Sequence, residues 1–193
     1  MTDAPRLPVV SLELLLDPAT EARIRAEWEA LAGAGLSSLA GHTAASNRPH
    51  ITLLVRTSLT SPAAEALAAG VALPLPLELG APLLFGSGDR RVLVRSVVPS
   101  PALLHLHSVV HELAGPGDDA PHTRPGEWTP HVTLARRLRL DTLPEALRLL
   151  DETADEAADD ATDAGPDAAS QRRSAATALR RWDAASATVT DLL

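Results

Sequence analysis

The 193-residue chain contains no cysteine, no lysine and no tyrosine, and it has one phenylalanine and three tryptophans. Without cysteine there is no disulfide scaffold, thiolate metal site or cysteine nucleophile. Without lysine there is no Schiff-base chemistry and no P-loop lysine. No apolar run approaches the ~20 residues that span a bilayer, and the first sixteen residues lack the pattern of a signal peptide. We therefore expect a cytoplasmic monomer with no membrane partner, built as one domain over residues 1–193.

Negative charge is concentrated in one segment. The net charge is −8, and residues 151–167 contain eight acidic and no basic side chains: Asp151, Glu152, Asp155, Glu156, Asp159, Asp160, Asp163 and Asp167. The rest of the chain is neutral, with local arginine clusters that could bind an anionic ligand. Low hydrophobicity and high charge predict a disordered or loosely helical insertion over residues 151–169.

Hydrophobic periodicity predicts alternating strands and helices. The order is strand, helix, strand, helix, two strands, helix, strand, helix and two strands, with one strand over residues 75–85 and a short helix over residues 143–150. The pattern divides near Pro99 into two similar halves. This indicates an α+β fold with an internal duplication, in which helices pack on antiparallel strands.

One short motif occurs in both halves, 81 residues apart. Pro-His-aliphatic-Thr-Leu is found at His50 to Leu53 and again at His131 to Leu134. Residues i and i+2 of a strand share a face, so each histidine stands beside its own threonine. A single copy is more often structural than functional, but two copies at matched positions are hard to ascribe to chance.

Two such units facing each other would place two imidazoles across a cleft. Imidazole titrates near pH ~6.5, so one ring can act as general base while the other acts as general acid. The hydroxyls of Thr52 and Thr133 can donate hydrogen bonds to anionic oxygens between the rings. This arrangement suits in-line displacement at phosphorus without a metal.

The two His-x-Thr motifs, and above all the segment from Trp128 through His131 to Arg136, resemble the two-histidine (2H) phosphoesterase superfamily. Within it the chain resembles the 2′-5′ RNA ligase-like branch, which includes bacterial RNA 2′,3′-cyclic phosphodiesterases. The resemblance implies a bilobal fold whose lobes share strands, with a pseudo-twofold axis through a central cleft. It implies catalysis by His50 and His131 and phosphate binding by the two threonines.

The resemblance also implies that an arginine five residues after the second histidine contacts phosphate or RNA, and Arg136 has this spacing. In the first motif Val55 holds the corresponding position, and Arg56 follows one residue later on the other face of the strand. No cofactor and no metal are implied. The implied partner is an RNA end or a small nucleotide with a cyclic phosphate, either hydrolysed or joined through a 2′-5′ bond.

The scarce aromatic residues near the motifs are further candidates. Phe85 and Trp128 could stack on unpaired bases, although core packing is the usual role of such rings. Trp28 is predicted to be a packing residue. His107 and His111 have the i, i+4 spacing of metal ligands, but no carboxylate completes a site, so a half-exposed helix face is the favoured interpretation.

Three rival functions remain at this stage. One is a phosphodiesterase for 2′-5′ oligonucleotides or ADP-ribose cyclic phosphate. The second is a non-catalytic RNA- or nucleotide-binding module, which would not need two titrating groups. The third is a metal hydrolase that uses His107 and His111.

Overall fold

A computed structural model describes residues 8–44, 46–163 and 173–193. The strands are β1 (Val10–Leu16), β2 (His50–Arg56), β3 (Leu75–Leu77), β4 (Leu79–Phe85), β5 (Arg90–Val97), β6 (His131–Arg139), β7 (Ser174–Asp183) and β8 (Thr188–Asp191). The helices are α1 (Pro18–Gly33), α2 (Ala64–Gly70), α3 (Pro101–Ala114) and α4 (Leu143–Asp163). The predicted α+β class is confirmed.

The strands form one antiparallel sheet in which β2 and β6 are central. Its order is β3-β7-β1-β2-β6-β5-β4, with β8 added to β7. The β4–β5 hairpin of the first half pairs with β6 of the second half, and β7 of the second half pairs with β1 of the first. Segments from before and after Pro99 are therefore interleaved in a single sheet.

The prediction of a single strand over residues 75–85 is wrong. The strand divides at Glu78, and β3 joins one end of the sheet while β4 joins the other. One intervening residue spans only a few ångströms (~3.5 Å per residue). The two ends of the sheet must therefore approach each other, which curls the sheet around a concave face. Local alternation cannot reveal this division, because both pieces are apolar.

Local sequence signals mark the ends of helices α1 and α3. Asp17 caps α1 by accepting the amides of Ala19 and Thr20, each at 3.0 Å, and Pro18 occupies the first turn, where its missing N–H costs no helical bond. Ser100 caps α3 by accepting the amide of Leu103 at 3.2 Å. Gly115 ends α3 with a φ of 65°, which favours glycine.

The hydrophobic core lies on the helix-bearing face of the sheet. In β1, Leu12, Leu14 and Leu16 are almost fully buried in this core, together with side chains from α1, α2, α3 and α4. Ser11 and Glu13 alternate with these leucines, so they point to the opposite, concave face. That face is the one available for a ligand.

The acidic segment differs from its prediction. Helix α4 does not end near Leu150 but continues through Asp163. The part of the predicted insertion at residues 151–163 is therefore helical, one of the two predicted alternatives, while residues 164–169 lie outside the described residues. Alanine-rich sequence has high helix propensity even where it buries little apolar surface. Within the described ranges, no helix is long and apolar enough to cross a membrane.

Candidate active site

Both His-x-Thr motifs lie on the concave face at the centre of the sheet. Strands β2 and β6 pair at Ile51 and Val132, and both of these side chains are fully buried in the core. The histidine and threonine on either side of each point the other way. Because the pairing is antiparallel, His50 lies across from Thr133, and Thr52 lies across from His131.

The two halves of the site have the same backbone register. The pairing of β1 with β2, from Leu12 opposite Leu54 to Leu15 opposite His50, recurs 81 residues later between β5 and β6. Even the register shift recurs, between Leu12 and Glu13 in β1 and between Leu93 and Val94 in β5. A shift at the same place in both halves supports the pseudo-twofold relation between the lobes.

These register shifts explain how Arg136 reaches the concave face. In a regular strand, a residue five positions after His131 would point to the opposite face. The shift adds one residue, so Leu134 and Ala135 both enter the core and are fully buried. Alternation then directs Arg136 to the face of His131, where its side chain is exposed. An arginine five residues after the histidine therefore points to the face of that histidine only because of the bulge.

The first motif has no equivalent arginine. By the same register, Val55 occupies the position that corresponds to Arg136. Arg56 is 4% exposed and lies among the loops after α3. Its guanidinium donates to Asp119 Oδ1 at 2.6 Å and to the carbonyls of Ala114 and Gly115. Arg56 therefore stabilises the end of α3, and it is not the counterpart of Arg136.

Each motif histidine is held by an equivalent hydrogen bond. Nδ1 of His50 lies 2.7 Å from the carbonyl oxygen of Arg48, and Nδ1 of His131 lies 2.7 Å from that of Thr129. A carbonyl oxygen only accepts, so Nδ1 carries the proton in both rings. Nε2 is then the nitrogen that can take up or release a proton toward a ligand.

His131 lies in partly apolar surroundings. Phe85 meets its ring edge-on, with the ring centroids 4.9 Å apart. Burial lowers the pKa of His131 below its ordinary value, and the nearby imidazoles of His122 and His50 lower it further, against the opposing effect of the bond to Thr129. His131 is therefore suited to be neutral at physiological pH. Sequence analysis did not place His122 at the site.

His50 lies beside a buried ion pair that the sequence analysis did not place at the site. Oε1 of Glu13 is 3.7 Å from Nε2 of His50. The same oxygen accepts from Ser11 Oγ at 2.6 Å, and Oε2 accepts from Arg180 at 2.8 Å. The available signal was the pair of polar residues alternating with leucines in β1, which indicates a polar face on a buried strand.

The two tryptophans near the motifs make equivalent bonds. Trp28 donates its indole N–H to the carbonyl of Thr133 at 3.0 Å, and Trp128 donates to the carbonyl of Thr52 at 3.0 Å. Trp128 also stacks on His107, with centroids 4.0 Å apart. The packing role predicted for Trp28 is confirmed. Trp128 packs as well, and its stacking on a base stays a prediction.

The expectation of a half-exposed helix face at His107 and His111 is wrong. These side chains are 2% and 8% exposed. Nε2 of each lies within 3.2 Å of the carbonyl oxygen of Leu53, the extra residue of the β2 bulge, and Nε2 of His107 also lies 3.0 Å from Thr123 O. Within the described part of the chain, no group of three or more histidine, aspartate or glutamate side chains is placed to hold a metal ion.

A comparison with models of protein families identifies the family of this chain. A family model described as the 2'-5' RNA ligase superfamily matches residues 18–192. The chain belongs to the 2'-5' RNA ligase superfamily. This confirms the resemblance to 2H phosphoesterases, and both His-x-Thr motifs lie within the matched residues.

Solved structures similar to this chain include Usb1 of Kluyveromyces marxianus. The match has 14% sequence identity and a TM-score of 0.46, and it covers 95% of this chain and 97% of Usb1. The same protein solved with uridine monophosphate matches at 14% identity and a TM-score of 0.43, covering 96% and 97% of the two chains. No curated protein sequence matches this chain.

Strand pairing and a ring contact place five of the seven predicted site residues together. The four motif residues share one face across β2 and β6, and Phe85 contacts His131. Arg136 is directed to that face by the bulge. Trp128 supports β2 through its bond to the Thr52 carbonyl. Glu13, Arg180 and His122 lie near the site but were not among the predicted site residues.

Proposed function

We propose that this protein is a metal-independent phosphoesterase that opens 2′,3′-cyclic phosphates of RNA ends or nucleotides. The observation that carries the proposal is the pair of histidines on one face of β2 and β6, each with Nδ1 bound to a backbone carbonyl. Both Nε2 atoms are thereby available for proton transfer. A binding module has no need of two such rings at matched positions.

The reaction follows from this placement. One Nε2 takes a proton from water as the water oxygen forms a bond to phosphorus. The bond between phosphorus and one ribose oxygen breaks, and the other imidazolium gives its proton to that oxygen. The product is a phosphomonoester with a free ribose hydroxyl. When a 5′-hydroxyl attacks phosphorus in place of water and the bond to the 3′ oxygen breaks, the same groups join two RNA ends through a 2′-5′ bond.

The threonines and Arg136 have supporting roles in this scheme. Thr52 and Thr133 share the face of the two histidines, so their hydroxyls can donate to the non-bridging phosphate oxygens, where negative charge collects. Arg136 adds a positive charge at the rim on the side of His131, suited to a neighbouring phosphate of the RNA chain. Phe85 offers an aromatic face near the same histidine.

A substrate panel in EDTA tests the proposal. We expect the purified protein to convert an RNA oligonucleotide with a 2′,3′-cyclic phosphate end to a monoester without added metal, and the His105→Ala variant to do the same, because His105 is exposed on α3. The panel also includes a 2′-5′-linked dinucleotide and ADP-ribose cyclic phosphate. Turnover of either alone would favour the rival phosphodiesterase function, and turnover that requires zinc or manganese would contradict metal-independent catalysis.

A further inference from the structure

The two sides of the cleft have the same strand register and the same hydrogen bond from histidine Nδ1 to a backbone carbonyl. They differ in charge. Glu13 pairs with Thr52 across β1 and β2, and the register that relates the halves puts Val94 opposite Thr133 in the other lobe. Glu13 is 4% exposed and Val94 is fully buried. A carboxylate therefore stands beside one motif, where an aliphatic side chain stands beside the other.

The carboxylate of Glu13 is placed to act on His50. Its two oxygens have different partners: Oε2 faces Arg180, whereas Oε1 faces Ser11 and lies 3.7 Å from His50 Nε2. Arg180 is 3% exposed and is also held by the carbonyl of Ser46 at 3.0 Å. The ion pair is thus fixed in the wall of the cleft, with one carboxylate oxygen directed at the ring nitrogen that exchanges protons.

The charged and titratable neighbours of the two histidines differ accordingly. His50 faces Glu13 of β1, with Arg180 of β7 behind it and His131 of β6 across the cleft. His131 faces His122 and His50, and Phe85 of β4 covers its edge. Among the described residues, His131 has no carboxylate partner. The charges beside the two rings therefore differ: a carboxylate lies beside His50, and imidazoles lie near His131.

We propose that Glu13 is a positioning residue that makes the two histidines unequal, so that His50 enters the reaction protonated as the general acid and His131 enters neutral as the general base. The general acid and base named here depend on the proposed function, but the unequal protonation does not. Water is then activated on the side of His131, and the departing ribose oxygen receives its proton from His50.

The test replaces Glu13 with glutamine, which keeps the size and one acceptor oxygen for Arg180, while its amide N–H can donate to the Ser11 hydroxyl. The protonated acid is lost at high pH, so its group governs the alkaline limb of the pH–rate profile. In Glu13→Gln we expect the alkaline limb to move to lower pH by about one unit. At pH values on that limb, kcat/KM should be about tenfold lower than in the unmodified protein. The acidic limb should not move. The matched control is Glu27→Gln, which alters the buried pair of Glu27 and Arg95 and should shift neither limb.

Nitrogen-15 spectra of labelled histidine give a second readout that needs no turnover. We expect His50 to keep protons on both nitrogens to a higher pH than His131, and Glu13→Gln to reduce the difference. If His131 keeps its proton longer in the unmodified protein, the proposal is overturned, and it is equally overturned if Glu13→Gln leaves both the spectra and the alkaline limb unchanged. Absence of turnover with any cyclic phosphate would instead defeat the proposed function, while the spectra would still decide the role of Glu13. If Glu13→Gln does not fold, the order of titration in the unmodified protein decides.

Discussion

Replacing either His50 or His131 with alanine is expected to lower the rate of cyclic phosphate opening by ~10²-fold or more. Each ring contributes a proton transfer that water performs poorly, and the pairing of β2 with β6 places both rings on one face. The backbone should tolerate the change, because both side chains are only partly buried. Single-turnover rates and thermal unfolding of each variant would separate a loss of chemistry from a loss of fold.

The double variant provides a sharper form of this prediction. If the two rings act as a unit, removing both should cost less than the product of the two single effects, because the first loss already disables the concerted transfer. If the rate of the double variant falls by the full product of the two single effects, the two rings contribute independently. His105→Ala, on the exposed side of α3, serves as the control for alanine substitution of a histidine and should keep the rate of the unmodified protein.

The largest pH effect on stability is expected from His107. Burial lowers the pKa of His107 to about 4, and the adjacent His111 contributes in the same direction. The native state therefore favours the neutral ring. The stabilisation is complete above the unfolded-state pKa of ~6.5 and is lost as the pH falls toward 4, which amounts to about 3 kcal/mol in total.

Urea unfolding at pH 7.5 and at pH 4 would measure this effect. The free energy of unfolding should fall more steeply with acidification in the unmodified protein than in His107→Gln, which has no titrating ring. His105→Gln is the matched control on the same helix, and its pH dependence should follow that of the unmodified protein. Equal pH dependence in the unmodified protein and His107→Gln would contradict the assigned role of burial.

The sequence predicted the parts of the fold that are encoded locally. The caps at Asp17 and Ser100 and the hairpin of β4 and β5 each depend on a few neighbouring residues, which is why such elements can be predicted from local sequence. The duplicated motif was visible because its residues are contiguous in each half. The strand alternation then fixed which side chains share a face.

The parts that the sequence did not predict depend on contacts between distant segments. Nothing local distinguishes β3 from β4, which join opposite ends of the sheet. Glu13 and Arg180 meet only because β1 and β7 are neighbours in the sheet. The face of Arg136 depends on a register shift against β5. Such features require the pairing of strands to be known.

The central claim is that His50 and His131 act as a paired acid and base on one phosphate. The pH–rate profile of the unmodified protein and of the two alanine variants, measured in EDTA on an RNA with a 2′,3′-cyclic phosphate end, tests it most directly. We predict a bell-shaped profile whose two apparent pKa values belong to the coupled pair, and loss of one limb in each variant. A profile of His50→Ala that coincides with that of the unmodified protein would contradict the account, as would the absence of turnover at every pH.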